Sequence, residues 1–506
     1  MDFESFFSTS FFTFLFLLLT LKIVKNTKAK NKRAAKLPPG PWKLPLIGNI
    51  HQLICSLPHR SLRNLAKKYG PLMHVQLGQV STVVISSPEI AEEVLKNHDI
   101  VFSNRPRLVA SDILAYNSTD IIFSPYGDYW KKLRRICNIE LLCPKRVQSF
   151  RLIREEEVAR LIKTISLSEG LPINLSEKVF SLTYGITSRA AFGGKWKDQE
   201  ALVSIVKKGV ALASGFCLAD MYPSCKVLEL ASGLRFTLEK LHKESDRILG
   251  DILNDHKQKR LKRTGATSPE QEDLVDVLLN FQRDGDLPLT DNNIKAVILD
   301  IFGAGSETSS TTVEWAMSEL LKNPRLMKKA QTEVRQVFDA KGYVDETELH
   351  ELKFIESVVK ETLRLHPSAP LLVPRESSED CVIKGYEIPA NTKVIVNGWA
   401  IGRDPKYWSE PEIFDPERFL DSRIDYKGKD FEYIPFGAGR RICPGISFAI
   451  PNIISPLAQL LYYFDWKLPG GMNYEDLDMT EAFAVTVRRK YDLVLIPISY
   501  HPLSIK

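Results

Sequence analysis

The first strong pattern along the chain is an apolar run from Phe6 to Val24, FFSTSFFTFLFLLLTLKIV, whose only charge is Lys22. About nineteen such residues can just span a bilayer as a helix, with Lys22 snorkelling to the interface. A basic run from Lys25 to Lys36 follows, while only Asp2 and Glu4 precede. By the positive-inside rule the body is then cytoplasmic and the extreme N-terminus lies across the membrane. A cleaved signal peptide is the competing reading, but a basic n-region and a small-residue cleavage site are both missing. Pro38, Pro39, Pro41 and Pro45 forbid helix and stiffen the next segment. The pattern therefore predicts an anchor over residues 1–24, a basic and proline-rich hinge over 25–49, and one large body over 50–506.

Within the body, helical periodicity dominates, and short strand-like runs occur at Leu72 to Leu77, Thr82 to Ser86 and Lys393 to Val396. A mainly α fold with a minor β region is expected. Between Thr290, an N-cap residue, and Pro324, a stop, lies a helical pattern of about thirty residues, roughly 45 Å long. Its middle, Ala304-Gly305-Ser306-Glu307-Thr308-Ser309, is built from poor helix formers and predicts a local bulge. The stretch Lys257 to Asp273 predicts an exposed loop. Composition adds that the body is packed and soluble, with 44% hydrophobic and 26% charged residues. The net charge of +6 sits partly in the N-terminal run, which speaks against nucleic-acid binding. Seven scattered cysteines with no C-x-x-C pair argue against a disulfide framework or zinc site and suit a reducing compartment.

The sharpest chemical signal is Pro435 to Gly445, PFGAGRRICPG. Glycines let a backbone approach a flat ligand closely. Cys443 is expected where a helix begins, with Pro444 in its first turn, so that free N–H groups and the dipole would lower the thiol pKa. A buried structural cysteine in a tight turn is the alternative. The loop resembles the cytochrome P450 signature F-x-x-G-x-R-x-C-x-G, matched by Phe436, Gly439, Arg441, Cys443 and Gly445. The order of further motifs, and phrases such as Phe102-Ser103-Asn104-Arg105-Pro106 and Ser124-Pro125-Tyr126-Gly127, resemble plant A-type members, clan 71.

That resemblance implies the cytochrome P450 fold around haem b, with Cys443 as axial iron ligand and Phe436 and Gly437 beside the cofactor. It implies that Thr308 bonds iron-bound oxygen and that Glu307 belongs to the proton delivery chain. Glu361 and Arg364, one turn apart in KETLRLHP, and Arg418 in PERF would form a structural ion triad. Trp130, Arg134, Arg375 and Arg441 would hold the haem propionates. Ile298, Phe302, Ala304, Leu371 and Phe483 would line an apolar substrate pocket. The implied activity is hydroxylation or epoxidation of a hydrophobic specialised metabolite, most in keeping with a terpenoid. It would use O₂ and electrons from NADPH relayed by cytochrome P450 reductase at the endoplasmic reticulum membrane, with a basic face around Lys131, Lys132, Arg134 and Arg135 docking the reductase. Alternatives are an alkaloid or phenolic substrate, a reductase-independent isomerase or dehydratase, and a non-catalytic haem sensor or membrane scaffold.

Overall fold

The computed structural model describes residues 36–501 apart from 55, 195, 214, 263–271 and 285–288. The expected anchor and most of the basic run lie outside the described residues, among which no helix is long and apolar enough to cross a membrane. The proline-rich end of the hinge runs along the first strand, where the His74 N–H donates to Pro39 O and the Asn49 N–H to Gln76 O.

A helix α1 (Pro58–Tyr69) starts on a proline, whose missing N–H costs nothing in a first turn. It leads into β1 (Leu72–Leu77) and β2 (Val80–Ile85), an antiparallel hairpin. Far along the chain, β3 (Arg375–Glu376) and β4 (Lys393–Val396) complete this sheet in the order β1-β2-β4-β3, with β4 parallel to β2. Three smaller sheets accompany it among the described residues. The rest is helical: α2 (Asp128–Ile136), α3 (Arg151–Ser166), α4 (Leu175–Phe192), α5 (Gln199–Leu212), α6 (Leu234–Lys262), α7 (Asp291–Lys322), α8 (Lys353–Leu365) and α9 (Ile446–Tyr463). Side chains from α3, α4, α7 and α9 interlock in one large core.

The 32-residue α7 runs through that core. It opens as the sequence predicts, on a reciprocal cap in which Thr290 Oγ1 accepts the Asn293 N–H and Asn293 Oδ1 accepts the Thr290 N–H. Two expectations fail. The mid-helix bulge does not form, because the hydroxyls turn back onto carbonyls one turn earlier: Ser306 to Phe302, Thr308 to Ala304 and Thr312 to Thr308, each near 2.8 to 2.9 Å. The ladder stays whole because each hydroxyl finds an acceptor within it. The loop expected from Lys257 instead starts as helix, since α6 continues to Lys262 on pairs such as Lys259 with Asp255 one turn back.

Candidate active site

The loop before α9 is held by backbone geometry. Gly437 and Gly439 have φ of 73° and 68°, and a Cβ on Gly439 would lie 2.1 Å from Leu95 O, so only glycine fits there. The Cys443 N–H donates to Phe436 O at 2.9 Å, closing the loop into a cradle. The helix starts later than the sequence suggests, at Ile446 with Gly445 as N-cap. Cys443 thus stands before the helix, and the Gly445 N–H reaches its Sγ at 3.3 Å. Burial pushes the thiol pKa up, against the smaller opposing pull of that N–H and of Arg134. The helix end does not lower the thiol pKa as expected, because desolvation outweighs the one N–H that reaches the sulfur.

Around this loop four arginines converge. Arg375 pairs with Asp99 at 3.0 Å and donates to Ala438 O at 2.8 Å. Arg441 donates to Ser103 O and Ser124 O; its Nη1 is buried with no partner. Arg134 donates to Ile442 O. Arg105, which the sequence reading passed over, donates to the carbonyls of Ile122, Val373 and Pro374. Burial lowers the basicity of all four. For Arg105 and Arg441 repulsion from the other guanidiniums adds to it. Buried like charges with an orphaned donor fit an anionic ligand. Trp130 differs from expectation: its indole N–H is taken by Ile121 O at 3.0 Å. Its ring lies 4.0 Å from the Arg441 guanidinium, so it orients an arginine.

On α7, Ser306 and Ser309 are fully buried whereas Ala304 is exposed and Thr308 half-buried. In mid-core, that pattern means one helix face borders an internal void. Glu307 is buried, its Oε2 has no partner, and burial pushes its pKa up to about 7 against weaker attraction from Arg488 and Lys207. Ser368 Oγ donates to Thr308 O at 3.2 Å, and Arg375, seven residues on, reaches Ala438. One segment therefore ties the Thr308 turn to the cysteine loop. Below it, Glu361 and Arg364 share two bonds of 2.7 Å, and Arg418 Nε reaches Glu361 at 3.1 Å.

A model of the family described as Cytochrome P450 matches residues 38–495. The chain belongs to the cytochrome P450 family. It is 56% identical to Cytochrome P450 71D10 of Glycine max over 99% of this chain and 98% of that protein. Tabersonine 6,7-epoxidase isoform 1 of Catharanthus roseus is 54% identical, covering 96% of this chain and 97% of that protein, and premnaspirodiene oxygenase of Hyoscyamus muticus is 51% identical, covering 97% and 98%. A solved zebra fish cytochrome P450 with progesterone superposes with a TM-score of 0.75 at 25% identity, over 88% of this chain and 100% of that one. This P450 is of the plant A-type and is a monooxygenase.

The family implies haem-thiolate iron, and the residues present fit it: a cysteine in a glycine cradle, an arginine cluster short of anions, and a void beside α7. Cys443 would ligate the iron, and Arg105, Arg134, Arg375 and Arg441 would meet the propionates. Among the expected pocket residues, Ala304 faces the void. Ile298 and Phe302 do not: one turn apart on the opposite face of α7, they are 2% and 0% exposed, and Phe302 packs on Tyr184 and Phe192 at 5.0 and 5.5 Å between ring centres. Leu371 and Phe483 lie in a cluster with Phe216 and Met221, Phe483 edge-on to Phe216 at 5.9 Å. Arg134 points inward and leaves the basic face to Lys131, Lys132 and Arg135.

Proposed function

We propose that this P450 hydroxylates or epoxidises a terpenoid, using O₂ and two electrons from NADPH delivered by a membrane-bound flavoprotein reductase. Haem held by Cys443 would supply the oxygen chemistry, a thiolate ligand favouring O–O cleavage so that one oxygen atom would enter the substrate and the other leave as water. The chain's own part is to hold Cys443, to keep Thr308 at the void, and to keep beside it a carboxyl that still holds its proton near neutrality, Glu307. That buried, unpartnered Glu307 next to Thr308 is the observation that carries the reading, because a peroxide isomerase needs no proton supply. The name of premnaspirodiene oxygenase supports a terpenoid substrate; that of tabersonine 6,7-epoxidase supports an alkaloid as the second reading.

Membrane attachment by residues 1–24 at the endoplasmic reticulum is part of the same proposal. Support comes from large apolar side chains left exposed on the hinge side, Trp42 and Ile54 at 70% and 74%, and on the 218–236 segment, where Val227, Leu230 and Phe236 are 71% to 74% exposed. The two regions are joined, since Tyr222 donates to Leu46 O and Ser224 to Gln79. The test is to incubate microsomes holding the protein, reductase and NADPH with terpenes, alkaloids and phenolics. A terpenoid product that requires both reductase and NADPH is expected. Turnover of a peroxide without reductase, or no product with any class, would refute the proposal.

A further inference from the structure

Two buried carboxyl groups outside the proposed proton supply meet where residues 120–123 rest on α7. Asp300 lies on α7 one turn before Ala304, on the same face. Its Oδ2 accepts the N–H groups of Ile121 at 3.0 Å and Ile122 at 3.2 Å. Asp120, 0% exposed, accepts the Phe123 N–H through Oδ1. Its Oδ2 is buried without a protein donor, and because Asp300 Oδ2 takes the N–H of the very next residue, the two carboxyl groups adjoin in a dry site. Two adjoining carboxylates offer only acceptors, and a proton held between them would supply the donor that Asp120 Oδ2 lacks.

We propose that Asp120 and Asp300 form a proton-sharing latch that holds the Ile121–Ile122 wall against α7, and that loss of the shared proton loosens this wall of the substrate pocket. The carbonyls of the same dipeptide are held by groups that keep their donors, Trp130 Nε1 on Ile121 O and Arg105 Nε on Ile122 O. The latch is thus the titratable side of a clamp whose other side belongs to the haem cradle. Of the neighbouring groups, Arg105 and Arg441 attract the Asp120 charge. Burial keeps the Tyr129 phenol and the Cys137 thiol neutral, the thiol pushed up to about 12. Burial and the adjoining carboxyl hold the last proton of the pair well above the ordinary aspartate range. The sign follows: with the folded pKa raised, the latch is closed at low pH and is lost as pH rises through the raised value, where two buried anions face each other.

The pocket role rests on the P450 reading, whereas the latch itself does not, and the experiment separates them. Amide exchange over residues 116–123, corrected for intrinsic rates, is followed as pH is raised in steps from 6 until the fold is lost. Wild type is expected to lose protection within that range, up to about tenfold per pH unit once the shared proton leaves. D120N, whose amide replaces the shared proton and does not titrate, keeps its protection, with D300N as the second variant if D120N is poorly folded. Arg441 is common to all three, so its titration cannot produce the difference. On the haem-loaded protein, 4-phenylimidazole, which also needs the pocket, loses affinity over the same pH range in wild type alone, while imidazole does not. Unchanged wild-type protection, or equal losses in both variants, would overturn the latch. Pocket binding that ignores an intact, pH-dependent latch would overturn its role at the pocket.

Discussion

The ion triad under the cysteine loop permits a graded test. Arg364 and Glu361 are both 0% exposed in their side chains, and Arg418 is 10% exposed. Arg364 spends its donors on both Glu361 oxygens, on Gly402 O and Pro411 O at 2.7 Å, and on Ile413 O at 3.1 Å. Glu361 also accepts the Asp415 N–H at 2.8 Å. R364A removes both short bonds and leaves a carboxylate in a dry site with one cation at 3.1 Å. Breaking a buried pair in this way costs about 3 to 5 kcal/mol. R418A leaves the Glu361–Arg364 fork intact and removes one charged hydrogen bond, about 1.5 to 3 kcal/mol. Against a total of roughly 5 to 15 kcal/mol for a folded domain, the first change threatens folding and the second does not. Urea unfolding of the haem-loaded variants, followed by tryptophan fluorescence and by the Soret band, measures both. Equal losses for the two, or a loss below about 1 kcal/mol for R364A, would refute the assignment of the burial cost to this fork.

Replacing Cys443 by Ala is expected to abolish the red-shifted Soret band of the reduced, carbon-monoxide-treated protein, and normal turnover in that variant would reject the ligand. R105M and R441M should each weaken haem retention about ten- to a hundredfold, the equivalent of one charged hydrogen bond, read as the rate of haem transfer to apomyoglobin. Product formation should decline as pH rises through about 7, where Glu307 gives up its proton; E307Q should lower the rate about a hundredfold and flatten that limb.

Much of this molecule is legible along the chain because the signals are local. The Thr290 cap, the strands at Leu72 and Lys393, the glycine cradle and the one-turn spacing of Glu361 and Arg364 each depend on neighbours a few residues away. The phase of α7 is not legible in this way: a helix apolar on most sides does not announce which face meets the void, and Phe302 and Ile298, expected in the pocket, pack in the core. Arg105 and the Asp120–Asp300 pair are hidden in the sequence for a different reason. Nothing beside them in the chain shows that Arg105 reaches Val373, or that Asp120 meets a carboxyl 180 residues on.

Residue types at short fixed spacings were enough to reveal the family, the glycine loop around Cys443 and the long capped helix α7. Tertiary structure alone decided where charges gather and which are left unneutralised. Desolvation and Coulomb interaction depend on distance through space, and segments remote in the chain supply that distance.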